Sequence, residues 1–313
     1  MNPPNAVTVQ APGSIGNLGP GLDVLGCAVT GAGDTVTVSV SDGAGITITE
    51  PGGPELPTEP TRHAAALAAA AVLRRAAARI GLTISCRKGL PLAGGQGGSA
   101  ASAVAAAVAC NELLGRPLQT SDLLQSCLEA EEIVAGKHLD NIAPSLLGGI
   151  VLVRSLQPID VRALPVPRDL RIVLVLPQQR LATADARAAL PLAIARETTV
   201  HQLAQVAAIV HALHTDDLAL LGAALDDRIA EPARGPLIPG FAEAKRAALE
   251  AGALGASISG AGPTTFAFCR DDLSARRVAL AMHAAFDACG VPSAARVAQV
   301  DRDGARVLPT EHA

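Results

Sequence analysis

Aromatic side chains are almost absent from this chain of 313 residues, which has no Trp, no Tyr and only four Phe. Hydrophobic residues still make up 49% of the sequence, so a core has to be built from Ala, Val, Leu and Ile. Proteins that bind single-stranded nucleic acids commonly stack the bases on aromatic rings. The composition therefore argues against a nucleic-acid partner.

An excess of basic charge is also missing. The chain has 25 basic and 29 acidic residues, a net charge of -4, whereas a nucleic-acid-binding protein is expected to carry a basic patch. Lysine occurs only at Lys88, Lys137 and Lys245, so nearly all basic residues are arginine. A phosphate or carboxylate ligand would therefore be held mainly by arginine, backbone amides or a metal ion.

Long apolar runs and paired cysteines are lacking as well. The longest apolar stretch is about ten residues, where a membrane span needs ~20, and the first residues do not have the pattern of a signal peptide. The six cysteines contain no CxxC pair, so we expect them to be buried as small hydrophobic side chains in a reducing compartment. These features predict a cytoplasmic protein with no membrane partner.

The hydrophobic pattern predicts a mixture of strands and helices. Alternating residues predict strands at residues 7–9, 34–40, 46–48 and 82–88. Helices are predicted over residues 61–80, with Gly81 as its cap, and over 100–114, 120–135, 199–213, 217–229, 241–251 and 275–288. The proline-containing segment 158–169 is the best candidate boundary between two α+β halves.

The most informative segment is Gly94-Gly-Gln-Gly-Gly-Ser99, which runs directly into a helix of small residues. Glycine allows the backbone to approach a ligand closely, and a helix N-terminus offers free N–H groups and the positive end of its dipole. The segment would therefore suit a triphosphate, although it is neither a P-loop nor a dinucleotide fingerprint. A flexible loop that caps a helix is the alternative.

Two other glycine-rich segments are present. Ser259-Gly-Ala-Gly-Pro-Thr264 interrupts an apolar strand, which indicates a bend or a close contact, or simply a tight turn. Residues 11–23 follow the first strand and place Asn17 and Asp23 in a loop. Loops at strand ends commonly carry functional residues, but Asn, Asp, Gly and Pro are also ordinary turn residues.

A cluster of glutamates, Glu129, Glu131 and Glu132, lies on a predicted helix. One of them could hold Mg²⁺ together with the Ser99 hydroxyl, because Mg²⁺ needs few protein ligands, although such clusters are usually solvated. His138 near Asp140 could suggest a transition metal, but no other His or Cys is suitably spaced. We therefore expect His138 to be a solvated or capping residue.

Taken in chain order, the three glycine-rich segments resemble the three motifs of the GHMP small-molecule kinases. Residues 138–149, 182–191 and 230–241 are similar to the homoserine kinases within that family, and the resemblance covers about residues 7–308. It implies an α+β fold of two domains. A ribosomal S5 domain 2-like domain at residues 1–160 would hold the nucleotide, and a ferredoxin-like domain at residues 161–313 would close the acceptor pocket.

The resemblance further implies that ATP and Mg²⁺ are the cofactors, that L-homoserine is phosphorylated to O-phospho-L-homoserine for threonine biosynthesis, and that the chain forms a homodimer. The metal ligands would be Ser99 and Glu131, with Glu129 and Glu132 as alternatives in register. The loop around the ATP phosphates would consist of Pro91, Leu92, Ala93, Gly94, Gly95, Gln96, Gly97, Gly98, Ser99, Ala100 and Ala101.

The resemblance also suggests how the acceptor is bound. Arg187 and Arg234 match arginines expected to hold the homoserine carboxylate, a role for which the guanidinium fork is well suited. The ammonium and hydroxyl ends would be lined by Asn17, Asp23, Asp140 and Asn141. Asp23 and Asn141 would orient the attacking hydroxyl without a strong base, because positioning and charge stabilisation dominate a loose phosphoryl-transfer transition state.

The chain departs from the family pattern at three positions. Gln96 and Gly98 replace a leucine and a serine of the phosphate loop, and His63 stands where an asparagine often lies near the adenine. Two alternatives remain open. One is another GHMP kinase of the mevalonate, diphosphocytidyl-methylerythritol or shikimate type, although Asn141 and the two arginines argue against the first two. The other is a non-catalytic ligand sensor, against which Ser99, Glu131 and Asp23 argue.

Overall fold

The computed structural model describes residues 5–309. Within that range, eleven strands and ten α-helices form two layered units. The strands are β1 (Ala6–Gly16), β2 (Leu25–Ser41), β3 (Ile46–Glu50), β4 (Gly81–Arg87), β5 (Ile150–Leu156), β6 (Ile159–Leu164), β7 (Arg171–Pro177), β8 (Gly255–Ile258), β9 (Thr265–Cys269), β10 (Ser293–Ala298) and β11 (Arg306–Val307). The helices are α1 (Ala64–Arg75), α2 (Gly98–Leu113), α3 (Thr120–Val134), α4 (Ile142–Leu147), α5 (Thr183–Ala188), α6 (Arg196–Thr215), α7 (Leu218–Ala223), α8 (Ala230–Arg234), α9 (Phe241–Glu250) and α10 (Asp272–Ala288).

The first sheet has the order β11-β1-β2-β4-β3, with β5 paired to β2 and β6 paired to β5. All pairs are antiparallel except β3 with β4. Alternate residues of β1 and β2, such as Val9 and Val36, enter a core shared with α1, α2 and α3. Seven of the sixteen residues of α2 are alanine, and all seven are fully buried. These small side chains let the helix pack closely between the sheet and its neighbours.

The second sheet has the order β10-β7-β9-β8 and is antiparallel. Helices α9 and α10 pack on this sheet through side chains such as Phe241, Val278 and Phe286. Another core joins Ile15 and Cys27 of the first sheet to Leu174 and Phe266 of the second. This shared core places the turn between β8 and β9 directly against the glycine-rich loop before α2.

The α+β architecture predicted from the sequence is confirmed, but two predicted helices are wrong in extent. The helix expected over residues 61–80 is confined to α1, which ends at Arg75, just before the left-handed Ala77 (φ 50°). Gly81 is not its cap but the first residue of β4, where a Cβ would lie 1.7 Å from the carbonyl oxygen of Gly43. The helix expected over residues 217–229 is confined to α7. The chain then turns so that Asp227 can accept hydrogen bonds from the first amides of α8.

The segment 158–169 contains β6, which forms a hairpin with β5. The predicted domain division between residues 160 and 161 falls inside that strand, while β11, from the far end of the chain, pairs with β1. The division into a nucleotide domain and a substrate domain stays a prediction, and its ends at residues 1–4 and 310–313 lie outside the described range.

Five of the six cysteines are buried, as the sequence predicts, but Cys289 is exposed just after α10. Burial raises the pKa of the Cys86 and Cys110 thiols to about 12. No helix in the range 5–309 has both the length and the apolar character needed to cross a bilayer.

Candidate active site

A cavity of about 470 Å³ opens where the loops of the two units meet. It lies against the loop before α2, the loop after β1, the N-terminus of α4 and the turn after β8. It brings together the residues predicted at the acceptor and metal sites, Asn17, Asp23, Glu131, Asp140, Asn141, Arg187 and Arg234. Residues separated by more than 200 positions in sequence therefore share one site.

The phosphate loop predicted at residues 91–101 contributes most of its length to the cavity wall. Its lining residues are Pro91, Leu92, Ala93, Gly94, Gly95, Gly97, Gly98 and Ser99. Three predicted members do not line the cavity: Ala100 and Ala101 are fully buried in the core, and the Gln96 side chain is buried on the other side of the loop.

The backbone of this loop is turned so that its N–H groups are available to a ligand. Three successive carbonyl oxygens accept hydrogen bonds from outside the loop, Gly94 from Thr264 Oγ1 (2.5 Å), Gly95 from Ser259 Oγ (2.7 Å) and Gln96 from the Ser14 amide (3.1 Å). The N–H of a peptide points opposite to its carbonyl. Among the loop residues that line the cavity, the amides of Gly95, Gly97, Gly98 and Ser99 have no acceptor in residues 5–309, so they are available to an anion at the start of α2.

Glycine is required at two positions of the loop. Gly95 and Gly97 have φ angles of 74° and 67°, in the left-handed region that other residues rarely adopt. A Cβ at Gly97 would lie 2.2 Å from Ser14 Oγ, and one at Gly95 would lie 2.6 Å from the carbonyl oxygens of Ser259 and Gly262. The glycines therefore let the loop pass between β1 and the β8–β9 turn.

A buried carboxylate faces the first turn of α2. Glu131, on α3, is 2% exposed, and its Oε1 accepts a 2.8 Å hydrogen bond from Ser99 Oγ. Burial raises the pKa of Glu131, against the opposing effects of His138 and Ser99. Its Oε2 is buried and has no partner among the described residues. A hydroxyl and a carboxylate beside a phosphate loop form a hard-oxygen donor set that fits Mg²⁺.

The other two glutamates of the cluster face away from the cavity. Glu129 pairs with Arg74 (2.8 Å) and Arg75 (2.5 Å) of α1, and Glu132 lies near Lys137 at the surface. Of the three register alternatives, only Glu131 contacts Ser99. No group of three or more His, Cys, Asp or Glu side chains in residues 5–309 could bind a metal by itself.

Sequence analysis missed a lysine beside the phosphate loop. Lys88 lines the cavity and donates to the Gly98 carbonyl oxygen (2.8 Å) and to Ser102 Oγ (3.0 Å), and it forms an ion pair with the buried Asp34. The sequence did contain a signal for this lysine. Lys88 is one of only three lysines, and it stands at the end of a predicted strand, just before the glycine-rich loop. The three donors of the Lys88 ammonium group are therefore engaged, and one of them holds the Gly98 carbonyl oxygen at the phosphate end of the cavity.

The loop after β1 is held in an unusual backbone conformation. Asn17, Leu18 and Asp23 have φ angles of 69°, 46° and 60°, and each such residue costs about 1–2 kcal/mol relative to an ordinary conformation. The Asn17 amide group compensates by donating to the Gly260 carbonyl oxygen (3.1 Å) and accepting from the Asp23 amide (3.1 Å). Strain retained by surrounding contacts is typical of a functional site.

The two predicted arginines lie at this end of the cavity. Arg187 donates to both oxygens of Asp23 at 3.2 and 2.9 Å, and this contact raises its pKa. The Nε of Arg187 is buried without a partner among the described residues. Arg234 is 3% exposed and donates to the carbonyl oxygens of Ala186 and Gly260. Burial lowers the pKa of Arg234, and the charge of Arg187 adds to this effect.

Asp140 and Asn141 lie between the two ends. Asp140 accepts from the Asn17 amide (3.1 Å), and its other oxygen lies 3.0 Å from His138 Nδ1. His138 is 5% exposed, so the expectation of a solvated residue is wrong. Burial opposes the charged imidazolium, but the hydrogen bond and charge of Asp140 outweigh it and raise the pKa of His138. Asn141 Oδ1 accepts from Ser14 Oγ (2.9 Å).

His63 lines the opposite end of the cavity, together with Leu56, Pro57 and Arg62. It precedes α1 and is 3% exposed. Its Nε2 lies 3.0 Å from the Pro51 carbonyl oxygen, and its Nδ1 is buried without a partner among residues 5–309. Burial lowers the pKa of His63, so the neutral ring is favoured.

Comparison with known proteins gives a consistent result. Residues 64–149 match the family described as GHMP kinases N terminal domain, and residues 209–288 match GHMP kinases C terminal. A homoserine kinase of Arabidopsis thaliana is 45% identical over 97% of this chain and 85% of that protein. One from Chlorobium phaeobacteroides is 40% identical over 96% of this chain and 99% of the relative.

A crystal structure of homoserine kinase from Cytophaga hutchinsonii superimposes with a TM-score of 0.94 at 40% identity, covering 98% of this chain and 99% of the other. The resemblance that the three glycine-rich segments indicated is therefore confirmed over nearly the whole length. The chain belongs to the GHMP kinase family.

Proposed function

We propose that this chain transfers the γ-phosphoryl group of ATP to the hydroxyl group of L-homoserine, giving O-phospho-L-homoserine for threonine biosynthesis. The supporting observation is a single cavity that has unpaired amides and a lysine at one end and carboxylates with two arginines at the other. An anion and an amino acid can thus be bound side by side. The full-length relatives named as homoserine kinases support the same substrate.

The nucleotide phosphates would lie on the amides of Gly95, Gly97, Gly98 and Ser99, beside Lys88. Ser99 and Glu131 would hold Mg²⁺, which when bound neutralises developing charge on the phosphates. The unpaired oxygen of Glu131 supports this role. The base would extend toward His63, Leu56 and Pro57, where the cavity continues away from the acceptor end.

The amino-acid acceptor would be held by charge at both of its ends. Its carboxylate would accept hydrogen bonds from Arg187 and Arg234, and its ammonium group would contact Asp23 with help from Asn17. Arg187 already has a free buried Nε, which supports a second partner in addition to Asp23. A zwitterion of this size can therefore meet both charges without leaving either unpaired.

The chain would activate the hydroxyl by orientation rather than by a strong base. Asn141 carries an amide, which cannot accept a proton at neutral pH, and its oxygen is already bonded to Ser14. Asp23 is paired with Arg187, and both oxygens of Asp140 are engaged. Asn141 and Asp23 would direct the oxygen toward the phosphate, which is sufficient for a loose transition state.

We also propose that the protein acts in the cytoplasm and as a homodimer. The cysteine pattern supports the first proposal, and family resemblance supports the second. A mevalonate- or shikimate-type kinase is not favoured, because the relatives at 40–45% identity over the full length are homoserine kinases. The presence of Ser99, Glu131 and Asp23 at the cavity argues against a non-catalytic sensor.

The direct test measures Mg²⁺-dependent ADP release with L-homoserine, L-serine, L-threonine, shikimate and mevalonate offered separately. Only L-homoserine is expected to give efficient turnover, and mass spectrometry should identify O-phospho-L-homoserine as the product. Faster turnover of shikimate or mevalonate would overturn the assignment of the substrate. Absence of turnover with all five would overturn the assignment as a kinase of this group.

A further inference from the structure

Gln96 occupies the centre of the phosphate loop but does not line the cavity. Its side chain is 5% exposed and reaches the other unit, where Nε2 donates to Thr264 Oγ1 at 3.2 Å and Oε1 accepts from Arg296 Nη2 at 3.0 Å. A guanidinium can only donate, so it fixes the amide with its oxygen toward Arg296. The NH₂ group of Gln96 then has to point at Thr264.

Thr264 passes this contact on to the backbone of the loop. Its hydroxyl donates to the Gly94 carbonyl oxygen at 2.5 Å, and its amide donates to the same oxygen at 3.3 Å. The peptide between Gly94 and Gly95 is thereby held with its N–H turned away from the β8–β9 turn, toward the cavity. The three side chains form a continuous series of hydrogen bonds: Arg296 donates to Gln96, Gln96 donates to Thr264, and Thr264 donates back to the loop at the Gly94 carbonyl oxygen.

Arg296 is the origin of this series and has no acidic partner in residues 5–309. It lies on β10, partly buried, and its other hydrogen bond goes to the Thr30 carbonyl oxygen (2.6 Å) on β2. Burial lowers its pKa, and no carboxylate in the described part of the chain opposes this effect. Burying a charged arginine without a counter-ion costs free energy of folding, which its hydrogen bonds have to offset.

We propose that Arg296, Gln96 and Thr264 form a positioning network that holds the phosphate loop from behind and sets its amides for a nucleotide polyphosphate. The inference rests on the proposed function for the identity of that anion. Gln96, which replaces the leucine of the family pattern, then has a role that leucine could not fill, because its amide connects the loop to Arg296 on the second sheet. Neither Gln96 nor Arg296 touches the substrate, so both act through the loop.

The test compares Gln96→Met, Arg296→Met and the double variant with the wild type. Calorimetry would give the dissociation constants for inorganic tripolyphosphate and for AMP-PNP, and steady-state kinetics would give KM for ATP and L-homoserine. Each single variant is expected to weaken both anions about 5- to 30-fold, the scale of one charge-assisted hydrogen bond. The KM for L-homoserine should change less than about 2-fold.

The double variant is expected to bind tripolyphosphate and AMP-PNP at most about 2-fold more weakly than the weaker-binding single variant. The effects of residues that act in one series are not additive. Arg296→Lys should recover part of the affinity, because it keeps the charge. The matched control is Gln10→Met, which removes a glutamine that also accepts from an arginine, Arg306, but on the exposed β1–β11 edge. That variant should bind both anions as the wild type does.

Folded variants with unchanged affinity for both anions would overturn the network while leaving the proposed function intact. An equal rise in KM for ATP and L-homoserine, accompanied by a lower Tm, would also overturn it, because that is the effect of general loosening. Failure of the wild type to bind tripolyphosphate would overturn the network. A third outcome separates the two proposals. If the wild type binds the anions without phosphorylating L-homoserine, and the variants bind the anions more weakly, the network is supported and only the proposed function is overturned.

Discussion

At the scale of single residues, the Glu131 carboxylate is the most exacting feature of the cavity. It is buried, and one of its oxygens accepts from Ser99, while the other has no partner in the part of the chain that the structure describes. Such a group destabilises the fold unless a ligand meets it. Its position is therefore best explained by a cation that arrives with the nucleotide.

Glu131→Gln is expected to lower kcat by about 100-fold, or ~2.7 kcal/mol in the transition state, because the amide removes the charge while keeping the shape. The measurement is kcat as a function of Mg²⁺ concentration at saturating substrates. Glu129→Gln is the matched control and should retain wild-type turnover, since Glu129 pairs with Arg74 and Arg75 outside the cavity. Equal activities in the two variants would remove the metal role from Glu131.

Arg187→Met is expected to raise the KM for L-homoserine about 10- to 100-fold, because it removes charge-assisted hydrogen bonds. The KM for ATP should change little. Arg187→Lys should be intermediate, since an ammonium group cannot make a bidentate contact. Arg116→Met, which removes an exposed arginine paired with Glu112, serves as control. A larger rise in the KM for ATP would contradict the role in acceptor binding.

His138 makes stability depend on pH. Its pKa is raised above the usual 6.5 in the folded state, with burial opposing the charge and Asp140 outweighing it. A raised pKa adds stability that is fully present below pH 6.5 and is lost as pH rises through the folded-state value. The free energy of unfolding of the wild type should therefore exceed that of His138→Gln by more at pH 6 than at pH 9. Urea titrations at both pH values measure this, and a gap that widens with pH would contradict the pairing.

At the scale of elements, the short helix α8 illustrates how the acceptor site is placed. Asp227 accepts hydrogen bonds from the amides of Ile229, Ala230 and Glu231 at its start, and Arg234 lies at its end. Gln202 of α6 connects this cap to the loop after β1 by donating to both Asp227 and the Pro20 carbonyl oxygen. The two sides of the acceptor site therefore share one support.

Asp227→Ala is expected to lower the free energy of unfolding by about 1–2 kcal/mol, the usual value for a lost cap, and to raise the KM for L-homoserine. Asp271→Ala is the matched control, since Asp271 caps α10 through the Ser274 amide (2.6 Å) away from the cavity. Asp227→Ala should lose more stability in urea titrations than Asp271→Ala, because Asp227 is buried and accepts from three amides and Gln202, while Asp271 is exposed. If KM for L-homoserine rises equally in the two, or in neither, the cap does not position Arg234.

At the scale of the whole molecule, the sequence predicted the α+β class, and its three glycine-rich segments singled out residues that the fold brings together at one cavity. Glycines such as Gly95 and Gly97 indicated close backbone approaches there. The sequence misjudged the ends of α1 and α7. Helix α1 stops just before Ala77, which has a left-handed φ of 50°, and α7 is followed by the turn in which Asp227 caps α8. Lys88 and Asp34 could not be paired from sequence, because their contact depends on how β2 and β4 align.

The relation of the two sheets was also beyond the sequence. β11 and the core around Ile15 and Phe266 bring chain segments together that no local pattern connects. Choosing among Glu129, Glu131 and Glu132 required the rotation of α3 relative to α2, which a helix of mixed polarity does not specify. The roles assigned to these side chains stay predictions that the variants above test.

The pairing of Asp23 with Arg187 has a consequence for how the protein responds to salt. An incoming zwitterion brings one charge of each sign. It would exchange the contact between Asp23 and Arg187 for one contact with each of them, so the net charge of the cavity would stay the same. ATP carries several negative charges, whose attraction added electrolyte screens. Raising ionic strength from 0.05 to 0.5 M, about a threefold shorter Debye length, should therefore weaken nucleotide binding while leaving the Michaelis constant for L-homoserine nearly constant. Both constants would be measured as functions of potassium chloride concentration. A similar salt dependence for the nucleotide and for L-homoserine would show that the amino acid is instead recognised through one charge alone.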